Sequence, residues 1–275
     1  MDTKVNAASN PELANKLAQE AMSFEVQEAV GAPMAIKIPS LPETSVELPA
    51  GYYEGFDGVL ETVAEVRELN GSDEEAIVKI TDTGKALLAI LDRATVSVGG
   101  KPATKDIMDN LLSGDREMLL LAIRKATFGN DISIETVCSK CPELQTFVVD
   151  LTKDVKVKTL SDRIGDRVFY VDLKAGRAKV FLPSGDTQAK LINSVDKNSA
   201  ELDTLLLTNC VVELNDMPIM NPNQVRNLSI KDRRTILDEI AKRNPGPQLG
   251  EIKKVCGSCG QEVELSLTLA DLFRA

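Results

Sequence analysis

Apolar positions recur at helical spacing in several stretches of the chain. Residues 11–30 (PELANKLAQEAMSFEVQEAV) place Leu13, Leu17, Ala21 and Phe24 on one face, which predicts an amphipathic helix near the N-terminus. Pro33, Pro39, Pro42 and Pro49 follow and forbid a continuous helix, so residues 1–46 read as an arm, a helix and then an extended segment. Beyond it, Ser72-Asp73-Glu74-Glu75 has the form of a capping box with Ser72 as N-cap. A second helix is expected over 84–94, running into a strand at 95–98 that Gly99-Gly100 turns. Residues 115–128 (DREMLLLAIRKATF) predict a core helix, with acidic residues early, Arg124 and Lys125 late, and Gly129 as the stop.

The period then changes. Residues 144–149, 155–158, 168–173 and 177–182 are short, alternating or β-branched, and predict strands of one small antiparallel sheet. A helix followed by a strand is expected over 202–212. Another helix opens at Ser229, with Asp232 at its third position, and ends at Asn244-Pro245-Gly246. The fold class is α+β.

Landmarks repeat in order along the chain. Val96–Pro102 matches Val212–Pro218 at an offset of 116, Asp115-Arg116 matches Asp232-Arg233 at 117, and Cys138-x-x-Cys141 matches Cys256-x-x-Cys259 at 118. Leu48-Pro49-Ala50-Gly51 also resembles Leu182-Pro183-Ser184-Gly185, but at an offset of 134, which requires extra residues in the first half. The expected organisation is an arm (1–46), a first repeat (47–150) and a second repeat (151–275), related by duplication and packed about a pseudo-two-fold axis.

Composition narrows the chemistry. With 275 residues the chain can bury a large core without disulfides. The first residues lack a basic and apolar leader, so folding in a reducing cytosol is expected. A formal charge of −10 with dispersed cations argues against nucleic acid as a main partner, and no apolar run is long enough for a membrane span. Histidine is absent, which removes the commonest general base and every histidine-containing metal site. The turn around Lys101 lacks the spacing of a phosphate loop. Asp82, Asp92, Asp115 and Glu117 read as helix caps and faces rather than as an acid–base pair, so no enzyme and no small-molecule substrate is expected.

The candidate chemistry lies in Cys138, Cys141, Cys256 and Cys259. Two Cys-x-x-Cys pairs without histidine suit a four-thiolate Zn2+ site, each half of the chain giving one knuckle. A redox dithiol and four plain buried thiols stand as alternatives. Gly257 and Gly260 favour the second knuckle, whereas Pro142, which has no N–H, weakens the first. Such a site is closed to substrate and structural, with on the order of 10 kcal/mol of folding free energy available from the metal. Cys210 reads as a core residue. Lys253 and Lys254 beside the second knuckle keep a zinc-ribbon nucleic-acid or regulatory module as the rival reading.

LPAGYYEG (48–55), EVRELNGSDEEAI (65–77), LLSGDREMLLLAIRKATFGND (111–131) with the Cys138 pair, LPSGD (182–186) and CGSCGQEVELSLTLADLFRA (256–275) together resemble a family of baseplate proteins of contractile-tailed phages. The resemblance covers most of the chain outside the arm. It implies a structural or assembly role at the central hub of the baseplate, with other tail and baseplate proteins as partners. The implied location is the virion tail, and the host cytoplasm during assembly.

Overall fold

The computed structural model describes residues 43–54, 58–194 and 196–273. The helix expected at 11–30 and the extended run to residue 42 lie outside the described residues. Residues 43–46, read from sequence as the end of the arm, open the first strand, β1 (Glu43–Tyr53). Pro49 sits where the β1 register is broken, between Glu47 and Tyr52, which is where a strand tolerates a residue without an N–H.

The first sheet runs in the order β1, β2 (Leu60–Arg67), β3 (Thr95–Val98), β4 (Lys101–Pro102), with every neighbouring pair antiparallel. Two helices, α1 (Gly71–Ile77) and α2 (Thr83–Ala94), join β2 to β3. Two more, α3 (Lys105–Asn110) and α4 (Ser113–Phe128), follow β4 and lead into the hairpin β5 (Asp131–Val137) and β6 (Leu144–Asp150). After a short strand β7 (Val157–Lys158) the same element order returns. A second sheet is formed by β8 (Val168–Leu173), β9 (Gly176–Phe181), β10 (Val211–Leu214) and β11 (Met217–Pro218). The helices are α5 (Gly185–Ile192) and α6 (Ser199–Cys210), then α7 (Pro222–Arg226) and α8 (Ile230–Arg243). The strand β12 (Gly246–Pro247) pairs back on β7, and the hairpin β13 (Ile252–Val255) and β14 (Glu262–Leu265) closes the order. The architecture is mixed α+β, with several small antiparallel sheets and eight helices among the described residues.

The two sheets agree in fine detail. The β3–β4 turn at Gly99 and Gly100 has φ of 59° and 73°, and the β10–β11 turn at Asn215 and Asp216 has 54° and 61°. Both are left-handed two-residue turns, built once from glycines and once from the residues that best tolerate that region. The ladders β2–β3 and β9–β10 each carry a bulge, at Val96 and at Val212. The buried Asp115 accepts at Oδ1 from the N–H groups of Ala50 (2.7 Å) and Gly51 (3.2 Å), while Asp232 accepts at Oδ1 from Lys174 N–H (2.9 Å). In each case the third residue of a long helix ties down the end of its sheet's first strand.

One sequence landmark is misplaced. Leu48–Gly51 lies inside β1, whereas residues 182–185 lie at the start of α5. Topology pairs 182–185 with 68–71, at the start of α1, and the offset becomes 114, from Gly71 to Gly185. Two other expectations are corrected. The strands expected in one sheet are divided among three, with β6 on β5, β7 on β12, and β8 and β9 in the second four-stranded sheet. The first helix after the arm is capped by Asn70, whose side chain binds Asp73 N–H while Asp73 binds back, so it starts before Ser72.

Three cores result. One is built on the first sheet around Leu48, Leu91, Leu119 and Ile123, and one on the second around Val180, Leu207 and Ile236. The third joins the middle of the chain to its C-terminal part, packing Leu121, Phe147, Val149 and Leu151 against Ile252, Val263, Leu265 and Leu272.

Burial pushes the Asp115 carboxyl up to about 6, against the two N–H bonds and the Arg167 charge that favour its anion, and its Oδ2 has no protein partner. That value lies above the roughly 3.9 of an unfolded aspartate. The stabilisation from Asp115 is therefore complete below about pH 4 and is lost as pH rises through 6. Urea unfolding of the wild type against Asp115→Asn should show the wild-type advantage shrinking by about 2 kcal/mol from pH 4 to 7.5. Parallel pH profiles for the two proteins contradict this.

Candidate metal centre

Each hairpin presents its cysteines at the turn. Cys138 directly follows β5, and its N–H donates to Glu143 O (3.1 Å), closing a tight loop before β6. Cys256 directly follows β13, and its N–H donates to Gln261 O (2.8 Å). Gly260 has φ of 69° and gives its N–H to Cys256 O (2.9 Å), a conformation and close turn for which glycine is suited. Pro142 occupies the corresponding place in the first loop and cannot make that bond. The first loop instead uses Lys140 N–H, which donates to Cys138 Sγ at 3.4 Å.

The two loops meet. Cys138 Sγ is 3.8 Å from Cys259 Sγ, Cys141 Sγ is 3.7 Å from Cys256 Sγ, and all four sulfurs lie within 4.8 Å of one another. A tetrahedron of thiolates about an ion at roughly 2.3 Å has edges of about 3.8 Å, whereas a disulfide needs roughly 2.05 Å. All five cysteines are free thiols. Cys138 and Cys256 are buried, Cys141 is half-buried and Cys259 is exposed, so the cluster sits at the rim of the third core.

The electrostatics are divided. Backbone N–H groups of Lys140 and Cys141 pull the Cys138 thiol down to about 6, while burial and the neighbouring thiols push Cys141 up to about 12. Four thiols this close cannot all ionise against one another, and a cation at their centre reverses that balance. Among the described residues, these four cysteines are the cluster that could hold a metal ion.

A residue not singled out in the sequence spans the two loops. Gln145 in β6 accepts at Oε1 from Gly257 N–H (3.0 Å) and donates through Nε2 to Ser258 Oγ. Its only sequence signal is its place as the second residue of the strand leaving the first knuckle.

The other candidates fall elsewhere. Cys210 is buried in the second core, where burial raises its thiol to about 12. Asp82 caps α2 through Lys85 N–H, and Asp115 holds β1. Glu117 is pushed up to about 7 by burial, in a hollow walled by Leu87, Leu91 and Leu120. Lys101 pairs with Glu54. Lys253 pairs with Glu262 and Glu264, and Lys254 with Asp154, so the cations beside the second knuckle are already matched by anions.

Four thiols from two hairpins thus form one cluster that could hold a metal ion. The family described as T4 bacteriophage base plate protein matches residues 59–272, which include both sheets' long helices and all four cysteines, and the chain belongs to that family. It is a structural protein of the phage tail baseplate. No curated protein matches the chain, and no solved structure does. No helix among the described residues is long and apolar enough to cross a membrane.

Replacing Gln145 by alanine leaves Gly257 N–H without its acceptor. Amide exchange at Gly257 should accelerate at least about tenfold, while Cys256 N–H, bonded within its own hairpin, stays protected. Unchanged Gly257 exchange contradicts the bridge between the loops.

Proposed function

We propose that the protein is a structural or assembly component of the central hub of a contractile phage-tail baseplate. It acts through contacts with other tail and baseplate proteins, in the virion and, during assembly, in the host cytoplasm. In this reading the chain is two fused copies of one unit, each with two strands, two helices, two strands, two helices and a terminal hairpin. One structural Zn2+, held by Cys138, Cys141, Cys256 and Cys259, fastens the copies together.

The observation that carries the reading is the convergence of four sulfurs from hairpins 118 residues apart, from Cys138 to Cys256, at spacings that suit one tetrahedral ion. The donor set fits: four soft thiolates without histidine favour zinc and leave no open position for water. Duplication is supported by the shared element order, the matched turns and bulges, and offsets that lengthen only from 114 to 118 along the chain. The hub assignment rests on the family and on the motif order. The rival nucleic-acid reading has little support, since its lysines are consumed in ion pairs.

Protein purified under reducing conditions should contain one equivalent of zinc, and chelation or Cys256→Ser should lower its melting temperature by well over 10 °C. A content far below one equivalent contradicts the fastening ion. Mass spectrometry of purified virions should find the chain at baseplate stoichiometry, or in assembly intermediates if it leaves after assembly. Absence from both contradicts the hub assignment.

A further inference from the structure

The two halves meet in a one-sided way. At the start of α4, Ser113 N–H donates to Pro183 O (2.8 Å) and Gly185 N–H donates to Leu111 O (2.8 Å), an antiparallel bridge between Leu112 and Ser184. Leu112 offers α4 no side-chain cap, so the second half takes up an N–H that a helix start otherwise leaves open. The approach is close: a Cβ on Gly185 would lie 2.2 Å from Met108 O. The first half is thus a socket, and the start of α5 is the plug.

Each half contains both parts. By the offset of 117 that carries Asp115 to Asp232, residues 111–113 correspond to 228–230, and by the offset of 114 residues 183–185 correspond to 69–71. These counterparts do not meet, because the bridge between Leu112 and Ser184 is the single isolated bridge among the described residues. The burial differs accordingly. Ser113 is 4% exposed, while Ile230 in the same place is 74% exposed. Gly185 is crowded, whereas Gly71 is exposed and has nothing within 4 Å of the position of a Cβ. The chain by itself gives no steric reason for a glycine at 71.

The two open surfaces complement one another. Around the vacant socket, Arg226, Lys231 and Arg234 are exposed and unpaired among the described residues, two of them in the first turns of α8, where the helix dipole disfavours positive charge. Around the vacant plug, Glu74 and Glu75 are exposed and form no ion pair among the described residues. Beside that plug runs an apolar groove of about 410 Å³ lined by residues that include Leu69, Val78, Thr127 and Phe128. Ser113 Oγ bonds Asn244 Oδ1 within the chain, and the counterpart of Asn244 at the offset of 117 is Thr127 in this groove. The counterpart of Ser113 is Ile230, an apolar side chain matched to an apolar groove.

We infer that a second copy of this chain docks here, head to tail: residues 228–230 of one chain clasp residues 69–71 of the next, with Ile230 in the groove and the Arg226, Lys231 and Arg234 cluster facing Glu74 and Glu75. A contact of this heterologous kind propagates, closing into a ring or growing as a string. The inference rests on the equivalence of the halves proposed above. Lys231 stands where Gly114 does in the closed clasp, so the contact between chains is wider at that point.

Sedimentation of the full metal-loaded chain over about 1 to 100 µM, combined with amide exchange, tests it by mass action. The mass should rise above the 29.8 kDa of one chain as concentration increases, with protection appearing at the Ile230 and Gly71 amides. Gly71→Phe and Ile230→Glu, both at exposed places, should each reduce assembly at least about tenfold, and their equimolar mixture should stop at the dimer, because each variant keeps one intact surface. A chain that stays monomeric, or assembly indifferent to both substitutions, overturns the inference. So does protection of Ile230 and Gly71 in a chain that sediments as a monomer. Ser113 and Gly185 separate the two levels: if their amides stay protected while the chain stays monomeric, only the inference fails. Free exchange at Ser113 and Gly185 removes the equivalence reading with it.

Discussion

The structure depends on the fact that neither half closes a core at its terminal hairpin. The strands β5 and β6 bury Phe147 and Val149 in a core shared with Ile252, Val263 and Leu265 of the other hairpin and Leu121 of α4. A two-stranded hairpin is marginal in water by itself and gains stability by packing on further strands and on a helix. The four sulfurs lie at the rim of this shared core, with Gln145 fixing one loop against the other. In the zinc reading, the ion does for the hairpins what the Ser113–Pro183 bridge and the buried Asp115 do for the helices and sheets.

Much of this was legible in the sequence where the signal is local. The core helix α4, the helix opened by Ser229, the strand at Val168–Leu173 and the turn at Gly99-Gly100 follow from capping residues, apolar period and turn chemistry. The cysteine pairs were legible as candidates, because short spacing and soft donors are properties of the chain itself, but their meeting across the length of the fold was an expectation that only the geometry supplies. Several strands were missed, β5 among them. β5 (DISIETV) alternates weakly and is half-exposed, so its pairing with β6 is set by the knuckle between them rather than by hydrophobicity.

The misplaced landmark is instructive. LPAG and LPSG look alike because both need a proline that ends regular bonding and a glycine that accepts a close neighbour. The causes differ. Gly51 has φ of 79° in a strand irregularity, while Gly185 lies against Met108 O at a helix start. Similar local demands produced similar residues at different places in the topology, and Glu68-Leu69-Asn70-Gly71, which falls opposite in the element order, carries the same helix start with less resemblance. The baseplate role follows from family membership, while the hub, the ion and the duplication are readings of how this chain fulfils that role.

The central claim is that one tetrahedral ion joins the two halves through Cys138, Cys141, Cys256 and Cys259. X-ray absorption at the zinc edge of the purified, reduced protein tests it most directly. Four sulfur neighbours at about 2.3 Å are predicted. A shell containing nitrogen or oxygen in place of sulfur, or the sulfurs found paired as disulfides with no metal signal, would contradict it.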